Sequence, residues 1–79
     1  MRHKRRLHAI QIPVDMMTQD VVTMPEEQWQ LIYGPIFGTR ERQQEVIGIL
    51  YRNRRPFFVT HCTEDVWQQV QAKLAKGQQ

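Results

Sequence analysis

The chain has 79 residues, one cysteine and a formal net charge of +3, from eleven Lys and Arg against eight Asp and Glu. A chain this short forms one small domain that buries roughly 60–65% of its unfolded surface, and Cys62 alone excludes an internal disulfide. A lone cysteine, no secretory apolar segment, and no run near the roughly 20 apolar residues of a membrane span predict a cytoplasmic protein outside the membrane.

Charge is unevenly placed. Residues 1–6 carry four positive charges and no acid, and residues 7–39 carry four acids and no Lys or Arg. Residues 40–55 then bring five arginines against Glu41 and Glu45. A basic arm, an acidic zone and an Arg-rich zone suit an anionic partner or a second copy of the chain. Domains this small often need a staple, so a homodimer is expected.

In chain order, MRHKRR (residues 1–6) reads as a flexible basic arm ahead of a single domain over residues 7–79. Leu7 to Val14 alternates as a strand, with Ile10 and Ile12 on one face and Ala9 and Gln11 on the other, and Pro13 ends it or sets it at an edge. Asp15 to Val22 shows no clear period and reads as a connection. Thr23-Met24-Pro25-Glu26 predicts a helix start, with Thr23 as N-cap and Glu26 completing a capping box. Trp29, Ile32 and Tyr33 then share one face until Gly34-Pro35 stops the helix.

Ile36 to Arg42 reads as a loop. In Glu45 to Tyr51 the β-branched Val46, Ile47 and Ile49, with Gly48, favour a strand. A helix from Thr39 to Arg52 is the alternative. With the strand, Arg52-Asn53-Arg54-Arg55 is a turn and Phe57 to His61 the returning arm of a hairpin. Thr63 to Lys76 is a helix: Glu64 and Asp65 fall in its first turn, lysines in its last, and Gly77 follows. Val66, Val70 and Leu74, widened by Trp67, form its apolar stripe.

The expected class is α+β, a small single domain ordered strand-helix-strand-strand-helix, with an antiparallel hairpin near the Arg cluster. The alternative is a mostly α fold with a short wing-like hairpin.

No catalytic pattern emerges. His61 and Cys62 are adjacent and would point to opposite faces of a strand. No CxxC, HxxxH or HExxH spacing marks a metal, and a composite of His8, His61 and Cys62 is the one arrangement left. The acidic pairs Glu26-Glu27 and Glu64-Asp65 are explained by helix starts. The sequence therefore predicts a non-enzyme without a cofactor. Arginine is the residue suited to phosphates and base edges. Arg5, Arg6, Arg40, Arg42, Arg52, Arg54 and Arg55 are the candidate nucleic-acid contacts, with Tyr51 and Phe57 as flanking aromatics. The runner-up is a protein-interaction module, an inhibitor or adaptor, docking through Trp29, Tyr33, Ile36 and Phe37.

Overall fold

The computed structural model describes residues 7–77. Its elements run β1 (His8–Pro13), α1 (Val14–Thr23), α2 (Glu26–Ile32), α3 (Gly34–Phe37), α4 (Arg40–Arg52), β2 (Phe57–Cys62) and α5 (Glu64–Gly77). The class is α+β, a two-stranded antiparallel sheet joined to helices. The arm over residues 1–6, with Arg5 and Arg6, lies outside the described residues, as do Gln78 and Gln79. No helix among the described residues is long and apolar enough to cross a membrane.

The sheet is not a hairpin. β1 pairs with β2, His8 opposite Cys62 and Pro13 opposite Phe57, across four intervening helices. Both strands alternate as period-2 patterning requires. Ile10, Ile12 and Cys62 are buried and Phe58 half-buried, while Ala9, Gln11, Phe57, Val59 and His61 are exposed on the other face. Pro13, the last residue of β1, sits opposite Phe57, at a position where the ladder asks for no N–H.

Two helices replace the predicted irregular and extended stretches. Asp15 to Val22 belongs to α1, whose buried face is Val14, Met17, Asp20 and Val21. The stripe is helical, but it contains an aspartate, and the neighbouring Val22 is 74% exposed. Glu45 to Tyr51 is likewise no strand but the second half of α4. Thr39 caps that helix, its hydroxyl accepting from the Arg42 N–H at 3.0 Å. Gln43 and Ile47 are buried, with Val46 and Leu50 packed beside them, at helical spacing. This packing and the cap outweigh the roughly 1 kcal/mol that an interior glycine costs at Gly48.

Thr23 is not the N-cap of α2. It closes α1, its hydroxyl donating to the Gln19 carbonyl at 2.9 Å, and Pro25 precedes α2 without a side-chain cap. α2 ends at Ile32, just ahead of Gly34-Pro35 as expected, but Pro35 then opens a further short helix. Pro35 sits in the first turn of α3, where its missing N–H is not needed. Gly38, at φ 85°, ends that turn in a conformation open to glycine. Ile36 to Arg42 is therefore mostly helical.

The core lies between the inner face of the sheet and the helices. Trp29, Tyr33, Phe37 and Phe58 form a chain of tilted rings with centroids 6.2, 6.2 and 5.1 Å apart. On α5, Val66 and Val70 are buried, and Trp67 and Leu74 pack at the core's margin. The stripe expected for this helix is the one that packs.

Candidate nucleic-acid interface

α4 ends in a tight backbone closure. The Arg54 N–H donates to the Tyr51 carbonyl at 3.0 Å and the Arg55 N–H to the Leu50 carbonyl at 2.8 Å. With Asn53 as C-cap, these are the two bonds of a Schellman motif. The residue that turns through the left-handed region is usually glycine, and here it is Arg54, at φ 58°. The Asn53 side-chain amide also donates to the Ile49 carbonyl at 2.9 Å, which helps hold the turn. Beyond the turn, the Pro56 carbonyl accepts from the Val14 N–H at 2.9 Å, which ties it to the start of α1.

Arg52, Arg54 and Arg55 are all exposed on this turn. None of them forms an ion pair among the described residues. Tyr51 and Phe57 flank them, both about half exposed. The Tyr51 hydroxyl is within 2.9 Å of the Thr18 hydroxyl and donates to Asp15 at 3.4 Å, so its ring is anchored. Two aromatic rings thus lie beside three guanidinium groups, residue types suited to stacking on bases and to pairing with phosphates.

The other two arginines of the predicted cluster are elsewhere. From Arg42 to Arg52 α4 advances about 15 Å, so one helix holds the two groups apart. Arg42 pairs with Glu45 at 3.1 Å on the helix surface. Arg40 is structural. It donates to the Val21 and Met24 carbonyls at 2.9 and 2.6 Å, pairs with Glu26 at 3.3 Å, and lies 5.4 Å from the centre of the Trp29 ring. Its guanidinium closes the α1–α2 junction, where a helix end leaves carbonyls unpaired. The Gln30 amide, with Arg40 beyond it, holds the Glu26 carboxyl below the usual carboxylate range.

The proposed protein-docking face is not a surface. Trp29, Tyr33 and Phe37 are buried and Ile36 is half-buried, so these side chains hold the domain together. The Trp29 indole donates to the buried Gln43 carbonyl oxygen at 2.7 Å, and Gln43 Nε2 has no partner among the described residues. The Tyr33 hydroxyl donates to Asp20 at 2.6 Å, and Lys73 reaches the same carboxylate at 3.4 Å. Burial first, and then this hydrogen bond, raise the Tyr33 phenol far above its ordinary range. This trio joins α1, the α2–α3 junction and α5, and was not legible in the sequence. Its one outward sign was an aspartate in register with Val14, Met17 and Val21.

His8 and Cys62 are cross-strand partners on one face of the sheet, but His61 points to the other, so the three do not gather. His61 faces solvent, Cys62 faces the core, and His8 stacks on Trp67 with ring centroids 4.9 Å apart. Burial pushes the Cys62 thiol up, which opposes nucleophilic use. No group of three metal-ligating side chains gathers among the described residues.

No protein-family model, curated protein or solved structure matches this chain.

Proposed function

We propose that this protein is a small cytoplasmic regulatory module that binds nucleic acid, with Arg52 and Arg54 as the main phosphate contacts. It acts by binding, without catalysis or a cofactor. One observation carries the reading: three exposed arginines crowd a tight turn, and one of them holds a backbone position that glycine fills at lower cost. The helix C-terminus favours cations there, but that effect is worth only about 0.3–1 kcal/mol and does not require an arginine at positive φ.

Phosphate contacts at the turn fix orientation, and Tyr51 and Phe57 offer ring faces to unstacked bases. Arg5 and Arg6 add positive charge ahead of β1.

The test is binding of the purified chain to mixed DNA and RNA fragments across a range of salt. Affinity should fall steeply with salt, and an Arg52→Ala/Arg54→Ala double change should reduce the log–log slope by about two contacts' worth, near 1.8. Absence of binding at low salt, or an unchanged slope in the double variant, would refute the assignment.

A further inference from the structure

We infer that two copies of this chain pair edge to edge through β2, forming a four-stranded antiparallel sheet about a two-fold axis at Val59. The inference goes beyond nucleic-acid binding and does not depend on it.

The hydrogen-bond phase of the existing ladder identifies the free groups. Val14 donates to the Pro56 carbonyl, and the register of β1 and β2 continues to that pair. In an antiparallel ladder bonded and non-bonded pairs alternate. The bonded pairs are therefore Ile12 with Phe58, Ile10 with Thr60 and His8 with Cys62. The N–H and C=O groups of Phe57, Val59 and His61 point away from β1. Among the described residues none of these three makes a backbone hydrogen bond to another element.

An uncovered edge of this kind templates pairing unless charge, proline or a bulge blunts it. β2 reads FFVTHC and holds no Lys, Arg, Asp, Glu or Pro. The edge is open and apolar.

A second copy is the occupant that fits. With Val59 opposite Val59, Phe57 meets His61 of the other copy and the reverse, which uses all three residues of the edge in both chains. The ends are complementary in charge. Arg55 precedes β2, and the exposed Glu64 and Asp65 follow it. The antiparallel arrangement sets Arg55 opposite Thr63 of the second copy, within a long side chain's reach of that copy's two acids. Arg52 and Arg54 remain outside this contact.

The full-length chain should sediment as a dimer. In a hydrogen-bonded pair the two Cβ atoms at position 59 would be about 5.5 Å apart on one face of the sheet, slightly beyond direct disulfide reach. Val59→Cys should therefore cross-link between chains with a short bifunctional thiol reagent. Gln11→Cys lies on the same face one strand further out, about 14 Å from its mate, and should not. Arg55→Glu should weaken dimerisation about tenfold, as two exposed ion pairs become repulsive, and Glu64→Lys/Asp65→Lys in that background should restore it.

Unchanged far-ultraviolet circular dichroism would show that these exposed positions leave the fold intact. A monomer at high micromolar concentration, or a dimer that Val59→Cys fails to cross-link, overturns the pairing. A monomer that still binds nucleic acid overturns only this inference. A cross-linked dimer that binds none supports it and removes the proposed function.

Discussion

Replacing Arg54 with glycine should move stability and binding in opposite directions. The left-handed conformation costs an L-residue roughly 1–2 kcal/mol, and Arg54 adopts it at φ 58°. Glycine removes that strain but adds chain entropy to the unfolded state, worth about 0.4–1 kcal/mol. The net gain is about 0.5–1 kcal/mol, or roughly 3–6 °C in Tm for a domain of this size. Removing one phosphate contact lowers the salt slope by about 0.9, which is about eightfold in affinity at 0.1 M salt and vanishes on extrapolation to 1 M. Arg54→Ala separates the two effects, since it loses the charge and keeps the strained backbone. Urea titration and salt-dependent binding on all three proteins are the assays. A glycine variant no more stable than the alanine one would refute the strain argument. An unchanged salt slope in both would remove Arg54 from the interface.

Arg40→Ala should cost about 1–2 kcal/mol, because two helix-end carbonyls lose their donor, yet leave the salt slope of nucleic-acid binding unchanged. A fall in that slope would place Arg40 at the interface after all. Tyr33→Phe should cost about 1.5–3 kcal/mol in denaturant titration, since buried Asp20 loses one of its two partners. The fold raises the Tyr33 pKa, so this contribution is complete below the unfolded value near 10 and declines as pH rises above it. The phenylalanine variant should lack that part of the alkaline loss, and identical alkaline profiles would contradict the assignment. Trp29→Phe and Gln43→Leu should each cost about 1–3 kcal/mol by orphaning a buried polar partner, and together at least about 1 kcal/mol less than their sum. Strict additivity would mean that the 2.7 Å bond carries no coupling.

Elements whose pattern matched their burial were legible. β1 and β2 alternate cleanly, and α5 carries acids at its start, lysines at its end and a simple apolar stripe. α1 was hidden because Asp20 lies on its buried face and Val22 on its exposed one, which blurs the period. α4 was misread because local preference in Val46 to Ile49 points to a strand, whereas the deciding features, the Thr39 cap and the Gln43-to-Leu50 stripe, reach well outside that window. Adjacent strand and turn signals then suggested a hairpin, since nothing local to Phe57 announces that its partner lies near residue 13. At the site, the Arg52–Arg55 turn was readable. Its separation from Arg40 and Arg42 was not, because it follows from the helix between them. An aromatic face such as Trp29 and Tyr33 looks the same in sequence whether it meets a partner or its own core.

The pairing of β1 with β2 also sets an order of events during folding. His8 meets Cys62, 54 positions later, so the sheet closes only after most of the chain exists, and loop-closure entropy must be overcome before its contacts form. A nascent chain halted before Phe57 has α1 to α4 but leaves Ile10 and Ile12 uncovered. Refolding should accordingly be slower than for an all-helical domain of equal length, with the final phase reporting strand closure. The Arg52–Arg55 turn is tied down by the Val14–Pro56 bond at the end of that same ladder. Its geometry should therefore mature last.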